Sequence, residues 1–273
     1  MPSVRYALYA PPFGTFGDVS LLVELAQAAE RAGWDGFFLW DHLLSADDVP
    51  FVDAWIALAA IAGATERLRL GPLVTPLPRR RPWKVARESV TLDHLSAGRL
   101  VLGVGLGIDH WREFGGFSGE ARDDRARAEL LDDGIEIIDR LWSGDVVTFH
   151  GARLHVEGVR FLPTPRQSPR IPIWAAVLWP PRAGPLRRAA RCDGVFPFRP
   201  DGPLTPANVR ELRAAIAERR GGDADFDTCL HGPRELAGEF AAAGVTWFLE
   251  SCYAEQPLAE VRRIIEAGPP REM

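Results

Sequence analysis

An aspartate and a histidine, Asp41 and His42, stand side by side where an apolar run of the sequence ends. The run, residues 37–40, reads Phe-Phe-Leu-Trp, and a strand that is apolar on both faces is typical of the interior of a parallel sheet. In barrel enzymes, the carboxyl end of such a strand lies at the rim that carries the catalytic groups. Because histidine titrates near neutral pH, the pattern predicts that His42 transfers a proton and that Asp41 orients its ring. The alternative is a capping aspartate beside a rim histidine that has no chemical role.

A second candidate group is the run Arg79, Arg80 and Arg81, which follows the third apolar segment of the chain. Guanidinium groups match the geometry of phosphate and carboxylate groups. The run therefore predicts that Arg79 binds the anionic end of a ligand at the same rim. The alternative is a solvated surface, since runs of like charge are usually exposed.

A glycine-rich run, Gly-Val-Gly-Leu-Gly, covers residues 103–107. It is not the dinucleotide-binding pattern G-x-G-x-x-G, because Ile108 stands where the third glycine is required. We interpret the run as a strand end that lacks side chains so that backbone or ligand can approach closely. If a ligand approaches here, we expect it to be a flat ring system that lies over Gly105 and Gly107.

Three segments of the chain repeat one junction, in which an Ala-rich helix ends in a small or polar turn and a buried strand follows. Such repetition predicts βα units. Strands are predicted at residues 4–10, 37–40, 68–74, 100–105, 171–177, 194–198, 226–230 and 245–250. Eight strands that alternate with helices predict a (β/α)8 TIM barrel, with a doubly wound α/β sheet as the alternative.

One long insertion separates the fourth and fifth predicted strands. It contains an amphipathic helix with apolar residues between 130 and 142, and a hairpin formed by residues 146–149 and 153–156. The hairpin histidines His150 and His155 have no third ligand nearby, so we interpret the insertion as a cover for one edge of the barrel. We expect residues 1–273 to form a single domain.

Composition excludes several functional classes. A net charge of -5 and a pI near 5.7 give no support for nucleic-acid binding. Three widely spaced cysteines and the absence of a signal peptide or a membrane-length apolar run indicate a reduced, cytoplasmic setting. The first strand offers no H-x-H pair, and no Cys-x-x-Cys motif occurs, so no metal site is predicted.

Several motifs occur together in a fixed order. They are the segment at residues 70–76 (Leu-Gly-Pro-Leu-Val-Thr-Pro), the helix end at 92–99, the glycine run at 103–107, the Leu-Trp-Ser-Gly stretch at 141–144 and the Pro-rich approach to 171–174. In this order the chain resembles the bacterial luciferase-like monooxygenase family over nearly its whole length. The resemblance implies a (β/α)8 barrel that binds FMN or the deazaflavin coenzyme F420 at the carboxyl ends of its strands, and a homodimer.

The resemblance also implies roles for particular residues. His42 would act as a base or proton shuttle, and a bulge or a non-proline cis peptide near Leu73 and Val74 would lie beneath the cofactor ring. The predicted cofactor-binding set is Leu73, Val74, Thr75, Arg79, Gly105, Gly107, Ala175, Ala176 and Val177. Candidate substrate walls are Trp40, His110, Trp111 and Trp179. Ile108 replaces the glutamate found in deazaflavin-dependent dehydrogenases, which leaves Asp109 or His110 as candidate acids.

The predicted function is a flavin- or deazaflavin-dependent oxidoreductase that acts on a small organic substrate. The arginine run favours F420 over FMN, because the deazaflavin carries the longer acidic tail. The sequence leaves a monooxygenase and a dehydrogenase or reductase equally open. A flavin-binding homologue without catalytic activity is the alternative from another class.

Overall fold

The structure is a computed structural model that describes residues 4–45, 48–222 and 225–270. Its helices and strands alternate along the chain, as the βα repetition predicts. The strands are β1 (Arg5–Ala10), β2 (Gly36–Leu39), β3 (Arg69–Pro72), β4 (Thr75–Pro76), β5 (Leu102–Gly105), β6 (Val146–His150), β7 (His155–Arg160), β8 (Ile173–Leu178), β9 (Gly194–Phe198), β10 (Asp227–His231) and β11 (Trp247–Ser251). The helices are α1 (Val19–Arg31), α2 (Ala54–Ala64), α3 (Pro82–Leu95), α4 (Asp124–Trp142), α5 (Ala183–Ala189), α6 (Pro206–Arg220), α7 (Ala237–Ala242) and α8 (Leu258–Ala267).

In the described part of the chain, nine strands form one parallel sheet in the order β3-β2-β1-β11-β10-β9-β8-β5-β4. The eight predicted strands are all present. The ninth arises because the predicted third strand is split into β3 and β4, which flank a cis peptide bond between Leu73 and Val74. The predicted (β/α)8 barrel is therefore confirmed, with an interrupted third strand.

The sheet closes on itself between β3 and β5. A bridge pairs Leu70 with Leu100, and the amide of Val101 donates a 2.9 Å hydrogen bond to the carbonyl of Leu70. Gly71 makes this approach possible, because a Cβ there would lie 1.9 Å from the carbonyl oxygen of Val101. Since all the strands of the sheet are parallel, their carboxyl ends share one end of the barrel, which we call the mouth.

The first helices begin where short polar side chains can accept hydrogen bonds from the free backbone amides of the first turn. Asp18 accepts from the amide of Leu21 ahead of α1, and Asp53 accepts from Ile56 ahead of α2. In α3, Pro82 occupies the first turn, where its missing amide costs no hydrogen bond. These features fix the starts of the first three helices.

The insertion between β5 and β8 consists of a loop, α4 and the antiparallel hairpin of β6 and β7. The hairpin turn is held against α4 by Asp133, whose buried carboxylate accepts from the amides of Ala152, Arg153 and Leu154. The predicted helix and hairpin are confirmed. The chain between β5 and α4, residues 106–123, passes over the mouth, and we call it the β5 loop.

Side chains fill the barrel interior in place of a channel. Phe38 lies 5.6 Å from Trp174 and 5.8 Å from Trp247 between ring centroids, and the two indoles lie 5.6 Å apart. All three are at most 1% exposed. This packed layer forms the base on which the groups of the mouth rest.

The close approach at Gly71 gives a test of barrel closure. We expect Gly71→Ala to lower the free energy of unfolding by roughly 3 kcal/mol, because the backbone of β5 must move to admit the methyl group. Gly63→Ala in α2 is the matched control: no atom lies within 4 Å of its Cβ position, and helix propensity predicts a gain of about 0.5 kcal/mol. Urea unfolding of both variants measures the difference, and equal stabilities would contradict this account of the closure.

Candidate active site at the barrel mouth

His42 follows β2 and has a side chain that is 17% exposed at the mouth. Its Nδ1 lies 2.9 Å from Oε2 of Glu113, a residue of the β5 loop that the sequence analysis did not identify. A carboxylate only accepts hydrogen bonds, so Nδ1 carries the proton in this pair. Nε2 is then the ring nitrogen that remains for proton exchange with a ligand.

Glu113 is 1% exposed and is bound from several sides. Its Oε1 accepts from the amide of Leu43 and lies 3.0 Å from Nη1 of Arg79. Burial alone would raise the pKa of Glu113, but hydrogen bonds from His42 and Leu43 and the charge of Arg79 together hold that pKa below its usual value. The carboxylate is therefore ionised at neutral pH and stabilises a positive charge on His42.

Asp41 does not contact His42, and the prediction that it orients the ring was wrong. Successive residues of an extended chain point to opposite faces, so Asp41 points outward when His42 points inward. Its buried carboxylate accepts from Thr75 at 2.7 Å and from Nε1 of Trp55 at 3.0 Å. Its main-chain carbonyl accepts from Arg79 at 2.6 Å. Asp41 thus joins the end of β2 to β4 and α2.

The side chain of Arg79 is 3% exposed and is paired with Asp41 and Glu113. Nη1 of Arg80 lies 3.9 Å from Oδ2 of Asp41 and 3.7 Å from Oε2 of Glu88. The guanidinium carbon of Arg80 stacks over the ring of Trp55, 5.3 Å from its centroid. Binding of an anionic ligand by Arg79 stays a prediction, but its guanidinium already forms ion pairs with Asp41 and Glu113. The hydroxyl of Thr75 is likewise used internally.

The β5 loop has a fixed shape that places Glu113. Asp109 turns back on the loop and accepts from the amides of Phe114 and Gly115 at 2.7 and 3.0 Å. Phe114 fills the space above Gly107, whose φ of 75° and close neighbours exclude a larger residue. Asp109, one of the two candidate acids, is therefore bonded within the loop, and the acid that lies beside His42 is Glu113.

Aromatic rings pack near the imidazole of His42. Trp111 of the β5 loop lies 4.8 Å from the imidazole in an edge-on arrangement, and Trp40 lies 6.2 Å away. Phe13 joins the two, at 5.7 Å from Trp111 and 5.9 Å from Trp40. Phe51 stacks on Phe13 at 5.0 Å. We call Phe13, Trp40, Phe51 and Trp111 the aromatic wall.

The floor of the mouth is the interrupted third strand. The predicted non-proline cis peptide is present between Leu73 and Val74, and the hydroxyl of Tyr9 donates to the carbonyl of Leu73 at 2.8 Å. Gly105 of β5 allows the strands to approach, because a Cβ there would lie 2.6 Å from Val74. Gly105 thus admits the neighbouring strand, and approach of a ligand to it stays a prediction.

Some of the remaining predicted residues face away from the mouth, because successive residues of a strand point to opposite faces. Of the three β8 residues, only Ala176 has an accessible side chain, since Ala175 and Val177 are 1% exposed and pack in the outer core. Trp179 packs against the outer clusters and makes no ring contact with the aromatic wall among the described residues. His110 is exposed at the rim, 5.9 Å from Trp111.

The mouth has features that suit a flat cofactor. The indole Nε1 of Trp40 is buried without a hydrogen-bond partner among the described residues, so it is a donor that remains available. Val74 and Ala176 are partly exposed and present apolar surface on the floor. An apolar floor with few polar groups is typical of sites for planar ring systems.

Residues 4–45, 48–222 and 225–270 contain no cluster of three or more His, Cys, Asp or Glu side chains that could hold a metal ion. The paired carboxylates at the mouth face guanidinium groups and an imidazole instead.

Comparison with known proteins gives a consistent result. A family model described as luciferase-like monooxygenase matches residues 7–239. An F420-dependent glucose-6-phosphate dehydrogenase from Gordonia bronchialis is 34% identical over 160 residues, which are 57% of this chain and 46% of that protein. The chain spans about half the length of the curated relatives it matches.

Two solved structures share the fold. One is an F420-dependent secondary alcohol dehydrogenase in complex with an F420-acetone adduct, with a TM-score of 0.81, 16% identity and coverage of 97% of this chain and 98% of that one. The other is the monooxygenase RslO1 from Streptomyces bottropensis, with a TM-score of 0.74, 20% identity and 97% of both chains covered.

The buried carboxylate of Glu113 predicts a dependence of stability on pH. Its folded pKa is depressed, so its stabilisation is present above the unfolded pKa of about 4.3 and is lost as pH falls through the folded value. We expect Glu113→Gln to be less stable than the parent by about 1–3 kcal/mol at pH 7, with a smaller difference at pH 3.

Urea unfolding at pH 7 and pH 3 measures this effect. Glu24→Gln is the control, because its carboxylate is 56% exposed on α1 and its pair with Arg262 is expected to contribute under about 1 kcal/mol. An equal loss for the two variants at pH 7 would show that Glu113 does not stabilise the mouth.

Proposed function

This chain belongs to the luciferase-like monooxygenase family, and on that premise we propose that it is a flavin- or deazaflavin-dependent oxidoreductase with His42 as its proton-transfer group. Coenzyme F420 is the favoured cofactor and FMN is the second candidate. The curated relatives that support F420 are dehydrogenases. The observation that carries the proposal is the pair of His42 and Glu113 at the mouth, 2.9 Å apart.

Bound F420 would supply hydride transfer to or from a substrate carbon, the chemistry that such cofactors contribute to their enzymes. The protein supplies the accompanying proton. In alcohol oxidation, Nε2 of His42 accepts the hydroxyl proton while Nδ1 remains bonded to Glu113. In the reverse direction, His42 returns the proton to the carbonyl oxygen. The ionised Glu113 stabilises the imidazolium in both directions.

The residues of the floor and the mouth would hold the cofactor. Val74 and Gly105 would lie beneath the ring, and Ala176 would border it from β8. The indole of Trp40 has a free donor, which supports a polar contact with the ring edge. Main-chain amides after β8 remain the proposed site for a phosphate group.

The assembly and compartment are proposals as well. A homodimer and a cytoplasmic location rest on the family resemblance and on the cysteine content. Within residues 4–45, 48–222 and 225–270, the helices include none that is long and apolar enough to cross a membrane.

Replacement of His42 tests its role. We expect His42→Ala to lower turnover by roughly a hundredfold or more, because general acid–base groups contribute on that scale. The dissociation constant for the cofactor should change much less. His155→Ala, on the exposed strand β7, is the matched control and should leave turnover unchanged. Steady-state kinetics under cofactor saturation distinguish the two, and a His42→Ala enzyme with the parent rate would refute the assignment.

The cofactor is tested by direct titration. We expect the purified protein to bind F420 with a dissociation constant at least tenfold lower than that for FMN, as measured by cofactor fluorescence. Bovine serum albumin under the same conditions controls for nonspecific binding. Tighter binding of FMN would reverse the order of the two candidates, whereas failure to bind either would leave the proposal without support.

A further inference from the structure

Most polar side chains around His42 already bind one another. Glu113 pairs with His42 and Arg79. The carboxylate of Asp41 accepts a hydrogen bond from Thr75. A ligand gains little by replacing a partner in such a satisfied pair. Apart from Nε2 of His42, the polar groups of a ligand in the mouth must therefore find their partners on other strands.

His231 is a second histidine of the mouth, at the end of β10. In the strand order, β2, β1 and β11 separate β10 from β3, and β5, β8 and β9 separate it from β4, so His231 lies across the barrel from the interrupted third strand. Cys229 of the same strand packs in the interior cluster, and alternation turns His231 inward as well. Its ring centroid lies 6.3 Å from that of Tyr9 and 6.1 Å from that of Phe196. His231 is exposed, so a ligand can reach its imidazole from the mouth.

The imidazole of His231 is free and neutral. Within residues 4–45, 48–222 and 225–270 it has neither a hydrogen-bond partner nor an ion pair. The surrounding protein removes water from the ring, and this burial lowers the pKa of His231 below its usual value. At neutral pH one ring nitrogen therefore donates a hydrogen bond and the other accepts one.

Ser251 supplies a second free group on the neighbouring strand β11. Trp247 and Leu249 of β11 pack in the interior cluster, so the side chain of Ser251 turns inward by the same alternation. Its hydroxyl has no hydrogen-bond partner in the described part of the chain, and the residue is half-buried. We call His231 and Ser251 the far pair.

The charged side chains of the neighbouring elements do not pair with the far pair. Glu250 faces the outer side of β11, where its Oε2 lies 3.5 Å from Nε of Arg234. Phe248, on that same side, packs in an outer cluster. Arg199, which follows β9, is exposed at the rim, and burial rather than this charge lowers the pKa of His231. The far pair thus offers hydrogen bonds without a paired charge.

We propose that the far pair binds an uncharged polar group of a ligand in the mouth, through one hydrogen bond to the imidazole of His231 and one to the hydroxyl of Ser251. Carbonyl, amide and hydroxyl groups have the required donors and acceptors. A carboxylate would lie there without a cation to compensate its charge. The inference rests on the proposed function, which makes the mouth a ligand site, and adds two binding residues to it. Two sources carry such a group: the edge of the cofactor ring and a second ligand beside the cofactor.

Histidine NMR tests the proposal without turnover. The chain has six histidines, and the signal of His231 is the one that His231→Phe removes. Acetamide and acetate, which have nearly the same shape but differ in charge, are titrated separately into the isotope-labelled protein at neutral pH and equal ionic strength. We expect a saturable shift of the His231 signal with acetamide and a much weaker response to acetate.

Variants localise the response. Ser251→Ala should weaken acetamide binding about two- to tenfold, the loss that corresponds to one neutral hydrogen bond. His155→Phe changes an exposed histidine of β7 and is the matched control, which should titrate like the parent. If His231→Phe fails to fold, His231→Asn assigns the signal instead.

Addition of the cofactor distinguishes the two sources. If the ring edge occupies the far pair, saturating F420, or FMN if that binds tighter, shifts the His231 signal and abolishes the response to acetamide. His231→Phe then weakens cofactor binding about two- to tenfold. If a second ligand occupies the far pair, the response to acetamide persists in the cofactor complex. Either result supports the proposal.

Three results would overturn the inference. They are a His231 signal that ignores both acetamide and the cofactor, acetate that binds as tightly as acetamide, and a Ser251→Ala variant that titrates like the parent. Each leaves the proposed function intact if the cofactor binds. A protein that binds neither F420 nor FMN, but whose His231 signal responds to acetamide, removes the proposed function and keeps the far pair as a binding site.

Discussion

The buried carboxylate of Glu113 is the contact on which the arrangement of the mouth depends. It reaches from the β5 loop to the main chain after β2 and to the guanidinium of Arg79 after β4, so one side chain joins three otherwise separate segments. A buried carboxylate is stable only where its charge is compensated. Asp41 and Glu113 face Arg79 and Arg80, which balances the charges before His42 gains a proton. His42 can therefore change its charge without leaving another buried ion unpaired.

The fold was predictable from the sequence because its signals are local and repeated. Apolar runs that end at polar residues predicted the strands, and the repeated junction of helix, turn and strand predicted the helices between them. The split of the third strand at Leu73 and Val74 was predicted only through the family resemblance. Propensities describe single residues, and a cis peptide bond is set by the packing of the strands around it.

The candidate site was predicted in part. His42 and Trp111 come together at the mouth, but Glu113 was missed because loop residues follow no period that relates them to a distant strand. The available signal was its position between Trp111 and Phe114, since an acid among aromatic residues tends to be buried with a partner. Asp41 was assigned as the partner of His42 from adjacency in sequence. Alternation of an extended chain separates neighbours, so adjacency was the wrong criterion.

The β5 loop has a consequence for how such enzymes diversify. Its residues Trp111 and Glu113 provide the apolar surface beside His42 and the carboxylate that binds its ring. Asp109 and Phe114 fold the loop largely from within. The ring and the carboxylate that contact His42 are therefore encoded on one continuous stretch of fewer than twenty residues. Recombination that exchanged this stretch between related barrels would transfer both side chains at once, provided that the recipient has a histidine after its second strand.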